Sequence, residues 1–230
     1  MRSSTLVQMR YVSGMDTSNP PPPAAIYLIA AHPDWRASRV NRELLAAARD
    51  LPQVQVLDLY SSYPDYAIDV AAEQARVAAA RLIVLMHPLQ WYSMPALQKL
   101  WLDEVLSFGW AYGGQAGALR GKDLWLVTSS GGSEDSYQAH NYNRHPFSAF
   151  LPPYEQTATL CGMRFLPPLV LFGAHSASEP AIAAHAQALR AKLLSYPRWP
   201  ELLALADCPA CEVPESDRPR PPPPAVTQAR

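Results

Sequence analysis

Three short segments of this 230-residue chain carry side chains whose types and spacing suit a planar ligand with an anionic end. The first is Ala31-His32-Pro33-Asp34, followed by Ser38-Arg39-Val40-Asn41 at the start of a helical pattern. A helix N-terminus presents unpaired N–H groups and a partial positive charge, so it attracts phosphate. Ser38 and Asn41 add side-chain donors there, and His32 can donate to the same anion. The second segment is His87-Pro88-Leu89-Gln90-Trp91-Tyr92-Ser93, whose two adjacent aromatics suit a flat ring. The third is Thr128-Ser129-Ser130-Gly131-Gly132. Its glycines let the backbone come close to a ligand and aim N–H groups at it. Tyr137 and His145 follow in a polar loop and are the nearest candidates to supply a proton. The same residues also fit blander roles: Ser38 as a plain N-cap, the aromatics as core, the glycines as a tight turn. Neither GxGxxG nor GxxxxGK[ST] occurs, so the dinucleotide fingerprint and the P-loop do not apply.

Each segment follows an apolar run. Ala25–Ala30, Leu82–Met86, Leu124–Val127 and Leu169–Phe172 are apolar on both faces, as strands covered on both sides by helices must be. Val54–Leu59 partly alternates, as expected of an edge strand. Between the runs lie helix patterns: from an N-cap at Ser38 to about Arg49, about Val70–Ala80, after Ser93 with Pro95 in the first turn, about Phe147–Leu160, and about Glu179–Leu194. Pro152 and Pro153 are tolerated only near a helix start or kink. This alternation predicts an α/β fold, an open five-stranded parallel sheet with helices on both faces. Ligands of such sheets sit beyond the carboxyl ends of the strands, so functional residues should follow strands 1, 3 and 4.

Composition narrows the function classes. Hydrophobic residues are 49% and charged residues 17%, which supports a large core. The net charge of −1 offers no general attraction to nucleic acid. The longest stretch free of charged side chains, Leu82–Gln98, contains His87, Pro88 and Pro95 and is too short for a membrane span. Met1–Asn19 lacks the apolar run of a secretory signal. The expected organisation is a Pro-rich tail at 1–23, a single domain at 24–196 and a Pro-rich tail at 197–230, burying little beyond about residue 205. Cys208-Pro209-Ala210-Cys211 is a lone CxxC without the second pair a zinc ribbon needs, so no metal site is expected.

Taken together, AHPxxxxSxxN (Ala31–Asn41), HPLQWYSMPALQKLWLDEVL (His87–Leu106), FGWAYGG (Phe108–Gly114), LRGK (Leu119–Lys122) and SSGG (Ser129–Gly132) resemble the flavodoxin-like NAD(P)H:quinone oxidoreductases. Within that family the chain is most similar to the ancillary flavoprotein subunits of bacterial glutathione-regulated potassium-efflux systems, as are YPDYAIDVAAEQ (Tyr63–Gln74) and LCGMRFLPP (Leu160–Pro168). The resemblance covers about residues 24–196 and implies a flavodoxin-like sheet in the order 2-1-3-4-5. It implies a flavin, FMN for so short a core although FAD serves in larger members, with NAD(P)H as donor and a quinone as acceptor in ping-pong kinetics. The implied flavin contacts are His32, Ser38, Arg39, Val40, Asn41, Leu89, Gln90, Trp91, Tyr92, Ser129, Ser130, Gly131 and Gly132. His32 beside the phosphate would have a raised pKa. The implied catalytic residues are Tyr137, placed like an active-site tyrosine of the larger reductases, and His145, whose loop is about three residues longer than in the ancillary subunits. The resemblance also implies a homodimer completed by the Phe108–Gly114 excursion. Three cysteines, Cys161, Cys208 and Cys211, make no disulfide framework and point to the reducing cytoplasm; as a second reading, the resemblance implies docking on a membrane potassium-efflux protein at the inner face of the membrane.

Overall fold

The computed structural model describes residues 25–113, 117–205 and 213–219. Gly114, the Cys208/Cys211 pair and residues 1–23 lie outside them. Five strands form one parallel sheet: β1 (Ile26–Ala30), β2 (Val54–Asp58), β3 (Leu82–Pro88), β4 (Asp123–Ser129) and β5 (Arg164–Leu171), in the order β2-β1-β3-β4-β5. Among the described residues the α-helices are α1 (Val40–Arg49), α2 (Leu59–Ser62), α3 (Val70–Ala79), α4 (Ala96–Val105), α5 (Pro152–Leu160) and α6 (Glu179–Ser195).

The two-faced apolar runs have a direct structural reason. Alternate residues Ile26, Leu28 and Ala30 of β1, with Val84 and Met86 of β3, pack under α1 and α6 against Leu44, Ala48, Ile182 and Leu189. Their neighbours Tyr27, Ile29, Ile83 and Leu85 face α3, α4 and α5 through Val77, Leu97, Trp101 and Tyr154. Because consecutive side chains point to opposite faces, both layers draw on every central strand. A buried carboxylate ties the second layer together. Glu73 on α3 accepts from Tyr27 Oη at 2.7 Å, Tyr63 Oη at 2.7 Å and Trp101 Nε1 at 2.9 Å, and pairs with Arg76 at 2.5 Å.

Several boundaries differ from the sequence reading. Ser38 is not the N-cap of α1: the helix begins at Val40, and no side chain caps it. The four-residue α2 was not anticipated; Asp58 caps it by accepting from Ser61 N. β5 starts at Arg164 rather than Leu169 and passes through Pro167 and Pro168. An edge strand tolerates these prolines, and the β4–β5 register is irregular between Trp125 and Val127. A 3-10 turn at Phe147–Phe150 precedes α5, which places Pro152 and Pro153 at its start. Packed chain also continues past residue 196: Trp199 and Leu202 are buried in the α1/α6 layer, with Trp199 edge-on to Trp125 at 4.8 Å. Those aromatic contacts outweigh the local proline content that suggested a tail.

Candidate functional site

Two cavities lie over the carboxyl ends of β1, β3 and β4, with Leu89 and Gly131 lining both. The larger, about 350 Å³, is lined by His32, Ser38–Asn41, Pro88–Gln90, Ser129, Gly131, Ala174 and His175. The smaller, about 220 Å³, is lined by Leu89, Trp91, Tyr92, Ser130–Gly132, Tyr137, Tyr142 and Asn143. All the proposed cofactor-contacting residues therefore line one or both of these cavities. The parallel sheet accounts for this grouping, since each β-strand delivers its following loop to the same edge.

The larger cavity carries the marks of an anion site. Ser38 and Asn41 are buried, and Ser38 Oγ and Asn41 Oδ1 have no hydrogen-bond partner. An unpaired buried polar atom costs roughly 1–3 kcal/mol, so such atoms mark a place meant for another partner. Asn41 Nδ2 donates to Ser129 Oγ at 2.9 Å, which joins the first loop to the third. The donor at Nδ2 is thereby committed to the protein, and Oδ1 and the Ser38 hydroxyl remain. A hydroxyl and the N-terminal N–H groups of the ten-residue α1 fit a phosphate.

His32 Nδ1 accepts from the Asp34 N–H at 3.1 Å, which leaves Nε2 as the proton-bearing nitrogen of the neutral ring. Burial lowers its pKa, opposed by the nearby Asp34 carboxylate. The raised pKa expected from the sequence is thus not a property of the chain by itself; it needs a bound anion to overcome desolvation. Arg39 also departs from expectation. Its guanidinium crosses to the β5–α6 loop, donating to His175 O at 3.4 Å, Ala177 O at 3.0 Å and Glu179 Oε1 at 2.6 Å.

The smaller cavity is built on constrained backbone. Gln90 and Ser93 exchange both backbone hydrogen bonds, at 2.9 and 3.0 Å, around Trp91 (φ 47°) and Tyr92 (φ 65°). Two consecutive non-glycine residues at positive φ make a turn of the I′ kind, a conformation usually reserved for Gly and Asn. It throws Trp91 outward, 94% exposed, while Tyr92 stacks on Phe150 and its Oη donates to Asn143 Oδ1 at 3.2 Å. Beneath this turn His87 is fully buried. Its Nδ1 lies 3.0 Å from Pro88 O and its Nε2 lies 3.3 Å from Tyr154 Oη. Burial pushes its pKa down to about 4, so the ring is neutral and holds the Pro88 carbonyl at the cavity's edge.

Tyr137 is buried among Phe147, Phe150 and Phe172, and its hydroxyl meets Ser130 Oγ at 2.6 Å. Burial raises its pKa, so it keeps its proton throughout the neutral range. The Gly132 N–H donates to the same Ser130 oxygen at 3.2 Å. His145 lines neither cavity; it is exposed and edge-on to Phe150 at 6.4 Å. His175 was missed by the sequence reading. Its signal was available: Phe172-Gly173-Ala174-His175 directly follows β5, at the same edge of the sheet as the other three loops.

An all-parallel five-stranded sheet with a cleft across the ends of β1, β3 and β4 defines a doubly wound α/β protein with room for a mononucleotide. The family described as having a flavodoxin-like fold matches residues 24–193, and the chain belongs to it. A glutathione-regulated potassium-efflux system ancillary protein KefF from Klebsiella aerogenes is 42% identical over 171 residues, which cover 74% of this chain and 96% of that protein. The general stress protein 14 of Treponema denticola, solved in complex with FMN, is 34% identical with a TM-score of 0.69 over 74% of this chain and 98% of its own. An NADPH-quinone reductase from P. pentosaceus is 29% identical, with a TM-score of 0.64 over 72% of this chain and 95% of its own.

Proposed function

We propose that the protein is an FMN-dependent NAD(P)H:quinone oxidoreductase. The observation that carries this reading is the buried Ser38 hydroxyl, which has no partner, in a cavity wall at the N-terminus of α1. Similarity to a structure solved with FMN and to an NADPH-quinone reductase supports it. FMN bound there would accept a hydride from NAD(P)H and pass it to a quinone.

The residues divide the work. Ser38, the N–H groups opening α1 and His32 Nε2 would hold the phosphate. The Pro88–Tyr92 and Ser129–Gly132 loops would hold the ring between them, with Gly131 and Gly132 permitting close approach. A side chain on Gly132 would meet Ser136 Oγ at 2.6 Å and Tyr142 Oη at 2.8 Å. Tyr137, protonated at neutral pH, would deliver a proton through Ser130 to the product oxygen. The His145 imidazole would need the loop carrying it to move before it could take part.

If donor and acceptor use one face of the site in turn, initial rates at varied NAD(P)H and quinone should give parallel double-reciprocal lines. Intersecting lines with a trapped ternary complex would reject the shared site. A second reading is favoured by the 42% identity to KefF over nearly the whole of that protein. On it, the chain is a cytoplasmic ancillary subunit docking on a potassium-efflux protein at the inner membrane face. Among the described residues no helix is long and apolar enough to cross a membrane, so docking would be peripheral. Potassium efflux measured with and without this chain, beside a co-expressed transporter, tests that role; no change would reject it.

A further inference from the structure

The β5–α6 loop forms a wall of the larger cavity that none of the three loops read from the sequence accounts for. His175 lines this cavity together with the start of α1. Its imidazole rests on Gly131, so closely that a Cβ there would lie 2.6 Å from Nε2 and 2.8 Å from Cδ2. Only the missing side chain at Gly131 admits the ring. The loop itself is held from three sides. Gly173 N donates to Gly132 O and Ala174 N to Ser130 O, both at 2.8 Å. Arg39, in the turn that opens α1, donates to His175 O, Ala177 O and Glu179.

We propose that His175 is a further ligand of the phosphate of bound flavin, and that Arg39 acts as a positioning residue for it rather than as a phosphate ligand. This rests on the flavin reading above. Three features carry the proposal. First, the Arg39 backbone lies beside Ser38, whose buried hydroxyl has no partner. The carbonyl of His175 is therefore pinned near the anion end of the cavity. Second, the Arg39 guanidinium is already engaged by two carbonyls and a carboxylate, so its charge is neutralised locally and its donors are committed. Third, the His175 ring is exposed and lines the cavity, so it can turn a nitrogen toward an anion without a rearrangement of the core. Two histidines from different loops, His32 and His175, then share the cavity with Ser38 and the start of α1.

The test compares FMN with riboflavin, which has the same ring and ribityl chain but no phosphate. Binding to the full-length apoprotein is followed by quenching of flavin fluorescence. His175→Ala should weaken FMN about tenfold or more, the lower end expected for a hydrogen bond to a charged group at a partly exposed site. It should leave riboflavin unchanged, and His175→Gln, which keeps an N–H donor, should recover part of the loss. Arg39→Ala should weaken FMN in the parent chain but have little further effect in the His175→Ala background, since its action passes through His175. Unchanged FMN affinity in His175→Ala, or equal losses for both flavins, would overturn the phosphate contact. Full additivity of the two substitutions would overturn the positioning role of Arg39. Failure of the parent chain to bind FMN would overturn the flavin reading itself, and is distinguished by being present before any substitution.

Discussion

The hydroxyls of Ser130 and Tyr137 lie 2.6 Å apart in a buried pair at the end of β4, and the Gly132 N–H donates to the same serine oxygen. When Ser130 accepts from both, its own proton is directed into the smaller cavity. Tyr137→Phe should therefore lower quinone turnover while leaving FMN affinity intact. The loss should fall at or below about 10²-fold, because positioned proton donors contribute roughly 10²–10⁴ and water can reach this partly open cavity. Steady-state kinetics of the flavin-loaded variant check this, and an unchanged rate would remove Tyr137 from the reaction.

FMN affinity should fall as pH rises. His32 in the free chain has a pKa below its ordinary value because of burial. A phosphate beside it favours the imidazolium and raises the bound-state value. The bound form then holds a proton that the free form releases. The extra affinity is fully present below the free pKa and is lost as pH climbs through the bound one. Protonation at Nδ1 also sacrifices the bond from the Asp34 N–H, which limits the effect. His32→Ala should lose about 10-fold or more in FMN affinity and flatten the pH profile, while riboflavin is nearly indifferent. Equal losses for the two flavins would place His32 away from the phosphate.

His87 makes a separate prediction about stability. Its native pKa of about 4 lies below the value of about 6.5 it regains when unfolded. Between those values the unfolded chain binds a proton that the native chain refuses, so stability falls as pH drops from about 6.5 toward 4. The whole difference corresponds to about 3 kcal/mol. Urea unfolding of the parent and of His87→Gln across this range should show the parent losing that much more. Parallel curves would mean that the imidazole is charged, or unburied, in the native protein.

The fold was legible because β1, β3 and β4 are covered on both faces, which forces unbroken apolar runs. Where that condition lapses, legibility lapses too. The edge strand β5 begins with Arg164 and crosses two prolines, and only its last residues read as strand. Trp199 was hidden in a proline-rich stretch although it meets Trp125 across the core. In the site, the three loops after β1, β3 and β4 were legible from their residue types at strand ends. The Arg39 clamp was not, since it joins residues 140 positions apart and nothing local encodes it. His175 follows Phe172 and Gly173 just as the other site residues follow their strands, but β5 itself was only partly legible, so the loop after it drew no attention.

Association is expected at the aromatic rim. The Phe108–Gly113 excursion is less open than its sequence suggests: Trp110 and Tyr112 pack against the core, and Phe108 lies over Gly113. Among the described residues the most exposed aromatics are Trp91 at 94% and Tyr142 at 70%, which line the smaller cavity. Covering such side chains is the usual fate of an apolar patch. Light scattering at micromolar concentration should give the mass of a homodimer, and Trp91→Ala should shift it toward monomer. A monomeric parent chain would contradict this arrangement.

The presence of a flavin is the claim on which the rest depends, and one measurement addresses it directly: the visible spectrum of the purified full-length protein, with the mass of any cofactor released on denaturation. The account predicts a yellow protein that releases FMN, or a colourless one that takes up FMN with micromolar or tighter affinity. A protein that neither FMN nor FAD colours, quenches with or stabilises would contradict it.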